Sequence, residues 1–239
     1  MGARLVPKDA VAHATPAGPR ARVGPKVRTW LGALLPGARA RRIQSATYAR
    51  EWVDDNRAAL ASEGPLWVAL GDSTAQGVGA STRSNGYVLA VLRRLRAKRD
   101  PAWRVVNLSA TGARAADVLD HQIPAMTSLP SPALVTCAVG ANDLLRTPQA
   151  DLEEVLCRLA ARLPRGSLLA NLPQGLSRRR SEAVNAIVEE LAEAHGLVLV
   201  DLWRHTAPPW RGKFAADHFH PNDAGYRDWV DAFCAALDV

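Results

Sequence analysis

From Leu66 onward the chain alternates between short apolar runs and longer segments whose apolar residues recur every three or four positions. The runs 66–70, Arg104–Leu108, Leu134–Val139, Leu168–Asn171 and Leu197–Asp201 are of strand length and do not alternate apolar with polar. That is the pattern of parallel strands covered on both faces. Between and after them, Val88/Val91/Leu92/Leu95, Leu152/Val155/Leu156/Leu159, Val184/Ile187/Val188/Leu191 and Tyr226/Trp229/Val230/Phe233 form stripes with helical spacing. A further helix is predicted over about 43–61, with Trp52, Val53 and Leu60 available for packing. Repeated strand–helix alternation predicts an open, right-handed, doubly wound α/β sheet. Ligands of such sheets bind beyond the carboxyl ends of the strands.

Four short motifs fall on that side of the predicted sheet. Gly71-Asp72-Ser73-Thr74 follows the first strand, Thr111-Gly112 the second and Gly140-Ala141-Asn142-Asp143 the third; Asp217-His218-Phe219-His220-Pro221 precedes the last helix. Ser73 lies in a turn flanked by glycines, where a nucleophilic hydroxyl is well presented and its own N–H, near an expected helix start, can donate to an oxyanion. Gly112 lets the main chain approach a reacting carbonyl, and the Asn142 amide is a second type of donor. His220 with Asp217 three residues earlier supplies a base and the carboxylate that fixes its tautomer. Taken singly, each motif is equally an ordinary turn or helix cap; their order and placement together point to one serine hydrolase site.

Composition changes this picture mainly at the amino-terminal end. The first 50 residues hold ten Lys/Arg and one acid, Asp9, whereas the rest holds 20 basic and 22 acidic residues, so the net charge of +7 belongs to the extension. Residues 1–42 are rich in Pro, Gly, Ala and Arg and are expected to be mostly flexible. The apolar patch Trp30–Leu35, with Arg28, Arg39, Arg41 and Arg42 around it, gives residues 28–42 the composition for weak contact with an anionic membrane surface. No specific nucleic-acid partner is expected. Pro7, Pro16, Pro19 and Pro25 interrupt any signal-peptide core, and no run approaches a membrane span, so the cytoplasm is the expected compartment. Cys137, Cys157 and Cys234 each sit in an apolar run and are expected to be buried free thiols.

Absences narrow the chemistry further. There is no Gly-x-Ser-x-Gly elbow and no phosphate-binding Gly-x-x-x-x-Gly-Lys loop, and Gly77-Val78-Gly79 lacks the third glycine of a dinucleotide fingerprint. Metal binding by Asp217, His218 and His220 would need further ligands that no other His or Cys cluster supplies. No cofactor and no metal are therefore expected. The alternative to an enzyme is a non-catalytic α/β binding module recruited to an acidic partner by its basic arm.

On the four motifs, the chain resembles the SGNH (GDSL-type) hydrolase superfamily over roughly residues 64–236. Gly71-Asp72-Ser73 matches the nucleophile block, Gly112 the second, Gly140-Ala141-Asn142-Asp143 the third, and Asp217-His218-Phe219-His220 the final Asp-x-x-His. The resemblance implies a three-layer, flavodoxin-like α/β fold with a five-stranded parallel sheet in the order 2-1-3-4-5. It implies hydrolysis of a carboxylic ester, with Ser73, Asp217 and His220 as the triad. Ser73, Gly112 and Asn142 would then form the oxyanion hole. Thr74 stands where the familiar motif often has Leu. The loops 172–180 and 203–216 are expected to shape the acyl pocket, with Pro173, Trp203, Trp210 and Phe214 as candidate lining.

Overall fold

The structure, a computed structural model, describes residues 36–175 and 177–239. The expectations for residues 1–35, including the patch Trp30–Leu35, lie outside the described residues. Five strands, β1 (Leu66–Gly71), β2 (Arg104–Asn107), β3 (Leu134–Ala138), β4 (Leu168–Ala170) and β5 (Val198–Val200), form one parallel sheet in the order β2-β1-β3-β4-β5. The helices are α1 (Pro36–Ala61), α2 (Tyr87–Lys98), α3 (Ala115–Asp117), α4 (Ile123–Thr127), α5 (Gln149–Ala160), α6 (Arg178–His195), α7 (Leu202–His205) and α8 (Asp223–Leu237).

Successive strand residues face opposite sides, so β1 feeds two cores. Leu66, Val68 and Leu70 pack with residues of α3 to α6, whereas Trp67 and Ala69 pack with α2 and α8. On the second side Tyr87 stacks on Phe233 with ring centroids 4.6 Å apart. The apolar reading holds for β1, β3 and β4, which are buried along their whole length, whereas at the edge strand β5 Val198 is exposed. Thr136 is fully buried in β3, and its hydroxyl accepts from Trp67 Nε1 at 2.9 Å, which removes the cost of an unpaired polar group there.

Helix α1 starts at Pro36, well before the predicted 43, and runs along the β2 edge of the sheet. Its polar residues bond directly to the backbone near the site. Asn56 Nδ2 donates to Asn107 O at 2.9 Å, and Asn107 N donates to Asn56 Oδ1 at 2.8 Å, which pairs the open edge of β2 with a side chain. Gln44 repeats the arrangement at the turn after β1: its Nε2 donates to Ala80 O at 2.7 Å and its Oε1 accepts from Gly79 N at 2.9 Å. Trp52 Nε1 donates to Gln76 O at 3.1 Å. Thus α1 braces the segment that carries Ser73.

Two further expectations are corrected, and one helical segment had no counterpart in the sequence pattern. The helix anticipated just after Ser73 is absent; residues 72–79 form turns, and α2 begins only at Tyr87. The segment 115–127 is helical throughout, with a π turn at Val118–Gln122 between α3 and α4. That turn spaces Val118, Ile123 and Met126 unevenly, so no regular stripe registers in the sequence. Finally, Cys137 is buried but Cys234 is only half-buried and Cys157 is exposed. Leu156 takes the inward face of α5, and the next residue points about 100° away from it.

Candidate active site

Each motif sits where a strand ends or where a loop returns over the sheet. Gly71 closes β1, and the π turn places Gln122 against it: Gly71 N donates to Gln122 Oε1 and Gln122 Nε2 donates to Gly71 O, both at 2.8 Å. The side-chain amide thereby continues the strand's pairing where the sheet ends. Ser73 follows in a turn held by Val78 N donating to Ser73 O and Gly77 N to Thr74 O, both at 3.0 Å.

The loop before α8 brings the histidine. Ala215 N donates to His220 O at 2.8 Å, and Asn222 N to Lys213 O at 3.0 Å, so the loop closes on itself. Asn222 then caps α8, its Oδ1 accepting from Ala224 N and Gly225 N. Gly79 makes the docking of this loop possible: at φ +103°, a Cβ there would lie 2.2 Å from Pro221 O and 2.7 Å from His220 Cβ.

Ser73, His220 and Asp217, separate in the chain, meet in one relay. Ser73 Oγ lies 2.9 Å from His220 Nε2, and His220 Nδ1 lies 2.6 Å from Asp217 Oδ2. The other oxygen of Asp217 accepts from the backbone N–H of Phe219 at 3.1 Å and of His220 at 3.0 Å. Burial alone would raise the Asp217 carboxyl, but the His220 ring, these two N–H donors and the nearby His220 charge hold it down at about 2. An ionised Asp217 fixes Nδ1 as the protonated nitrogen and leaves Nε2 free to accept from Ser73. His218, at φ +55°, is the left-handed corner of the loop between them.

Gly112 also has a positive φ, +77°, and the space over its Cα is empty within 4 Å. Among the described residues, no acceptor is bonded to the N–H of Ser73 or of Gly112. Asn142 differs: its Nδ2 donates to Asp72 Oδ2 at 3.2 Å and to Ala113 O at 3.1 Å, so both amide hydrogens are engaged. Asp143 is a structural acceptor, taking Ala115 N at 2.9 Å and Thr147 Oγ1 at 2.9 Å. Among the described residues, no group of three or more His, Cys, Asp or Glu side chains is arranged to hold a metal ion, and Asp217 and His220 are bonded to each other.

Residues 69–227 match the GDSL-like lipase/acylhydrolase family. The chain belongs to that family. Membership makes it a carboxylic ester hydrolase. It is 31% identical over 160 residues to the esterase TesA of Pseudomonas aeruginosa, covering 64% of this chain and 78% of the relative. A solved structure of TesA superposes with a TM-score of 0.62 at 28% identity, over 72% of this chain and 97% of that one. The acetylxylan esterase Axe2 from Geobacillus stearothermophilus shares the fold, with a TM-score of 0.60 at 22% identity over 74% and 96% of the two chains.

Several contacts around this candidate site escape a motif reading. Asp72 is buried, and burial raises its carboxyl even though the backbone N–H and hydroxyl of Thr74 oppose the rise. Gln76 Nε2 donates to Ser109 O at 3.0 Å and its Oε1 accepts from Thr111 Oγ1 at 2.6 Å, tying the first motif to the second. Asn107 Nδ2 donates to Ala75 O at 2.8 Å. The available signal was a polar amide within small or apolar residues, which is costly unless bonded. Of the expected lining, Pro173, Trp210 and Phe214 border a narrow apolar cavity of about 50 Å³ with Thr74, Ala141 and Phe219; Trp203 does not.

Proposed function

We propose that this esterase works through an acyl-enzyme on Ser73, with His220 as general base and acid and Asp217 as the carboxylate that orients it. As Ser73 Oγ attacks the ester carbonyl carbon, its proton passes to His220 Nε2. The C–O bond to the alcohol then breaks, and the leaving alkoxide takes that proton from His220. Water repeats the sequence on the acyl-enzyme, releasing the acid and restoring Ser73. Asp217 stays ionised throughout and stabilises the imidazolium.

The observation that carries this reading is the continuous relay of 2.9 and 2.6 Å from the Ser73 hydroxyl through the His220 ring to Asp217. The N–H groups of Ser73 and Gly112, both without an acceptor among the described residues, are assigned to the developing oxyanion. Asn142 joins them when one of its two long bonds yields to the substrate oxygen. The cavity beside Thr74, Ala141 and Phe219 borders the chain neighbours of Ser73, Asn142 and His220, and its small volume favours a short acyl group.

Ser73→Ala tests the assignment. Hydrolysis of p-nitrophenyl acetate is expected to fall by at least about 10³-fold while the unfolding midpoint stays within a few degrees. Turnover comparable to the parent would overturn it.

A further inference from the structure

We propose that Thr74 is a positioning residue for the oxyanion hole, acting through Asp72 on the Asn142 amide. This inference rests on the assignment of Asn142 as an oxyanion donor. Asp72 Oδ1 accepts from both Thr74 N at 2.8 Å and Thr74 Oγ1 at 2.7 Å, and its Oδ2 is left for Asn142 Nδ2 at 3.2 Å. Two donors on one oxygen fix the rotation of the carboxylate. The fixed carboxylate then sets the plane of the Asn142 amide, whose other hydrogen meets Ala113 O at 3.1 Å.

When negative charge develops on the substrate, one of these hydrogens must turn toward it. The bond to the neutral Ala113 carbonyl is the cheaper to surrender, because the bond to Asp72 joins an amide to a buried carboxyl. Asp72 therefore stays bonded and serves as the hinge about which the amide is aimed. Burial raises the Asp72 carboxyl, so each donor that favours its charged form matters. Thr74 also borders the apolar cavity with Phe219 and Trp229. A β-branched residue suits both tasks, since one branch can meet the apolar wall while the hydroxyl reaches Asp72. The Leu common at this position in the familiar motif can do only the first.

The test is a double-mutant cycle. Thr74→Val keeps the shape and removes the hydroxyl, Thr74→Ala removes it a second way, and Thr74→Ser restores it. Each is measured for kcat and KM on p-nitrophenyl acetate and for unfolding midpoint, in the parent and in the Asn142→Ala background. Thr74→Val and Thr74→Ala are expected to lower kcat about 10-fold with KM within about two-fold, and Thr74→Ser to stay within about three-fold of the parent. In the Asn142→Ala background, removing the hydroxyl should change kcat by less than about two-fold, because the group it positions is gone. Multiplicative losses in the double variants, with Asn142→Ala itself costing about 10² or more, would overturn the Thr74 inference and leave the oxyanion assignment standing. A small effect of Asn142→Ala would overturn both.

Discussion

Asp217→Asn is the most informative single substitution because the loop geometry dictates which way the new amide faces. Asp217 Oδ1 accepts from Phe219 N and His220 N, whereas Oδ2 faces His220 Nδ1. An asparagine has one oxygen and one NH2 group. With the oxygen toward the two backbone donors, both bonds survive and the NH2 group faces His220 Nδ1. That nitrogen must then accept, the ring proton moves to Nε2, and Nε2 can no longer take the Ser73 proton. The opposite orientation rescues the tautomer but breaks two backbone bonds, at about 1–1.5 kcal/mol each. The competent form is therefore about 30–150-fold in the minority. Losing the carboxylate charge that stabilises the imidazolium costs a further factor of about 10 to 10². The expected fall in kcat is about 3 × 10²–10⁴-fold, its upper end matching the serine-protease template for the same change. Asp217→Ala, which leaves the ring free to choose its tautomer, should lose less than the asparagine variant. Steady-state hydrolysis of p-nitrophenyl acetate by both variants, with folding checked by circular dichroism, makes the comparison. An asparagine variant within about ten-fold of the parent, or clearly more active than the alanine variant, would refute the reasoning.

Other expectations concern the scaffold. Gly79→Ala should displace the His220 loop, since its Cβ would meet Pro221 O at 2.2 Å at a φ of +103°; both the unfolding midpoint and kcat should fall, and an unchanged variant would show that the loop is not held by this contact. Gln122→Ala strands the N–H of Gly71 and takes one of two donors from its C=O, which keeps Ala110 N at 3.2 Å, at a cost of about 1–3 kcal/mol in urea unfolding; a change below about 0.5 kcal/mol would contradict the strand-mimic role. Asp217 is held at about 2, below its ordinary value of 3.8, so its contribution to stability is complete above the ordinary value and is lost as pH falls through about 2. Asp217→Asn should accordingly flatten the acid side of the stability profile between those two values, and an identical acid slope would contradict the assigned bonds.

Much of the sheet was legible because strands covered on both faces must be apolar whatever they do. The runs at Leu66, Leu134 and Leu168 needed nothing more, and the motifs followed from where those runs end. What escaped was held by single polar side chains reaching across the fold. Gln44 and Asn56 each bond a backbone segment distant in the chain, so they look like surface residues of α1 until Ala80 and Asn107 are in place beside them. Gln122 was hidden for the same reason, and also because a π turn destroys the spacing by which a helix is recognised. The residues of the Ser73–His220–Asp217 relay were readable as a list of types in order. The commitment of both Asn142 hydrogens was not, since it depends on the distances to Asp72 and Ala113.

The most direct test of the central claim is site-mapped labelling by a fluorophosphonate probe, timed in the parent protein and in His220→Ala. The account predicts modification at Ser73 alone, with a rate that drops by at least about 10²-fold once the imidazole is removed. Modification at another serine, or equal rates in the two proteins, would contradict it.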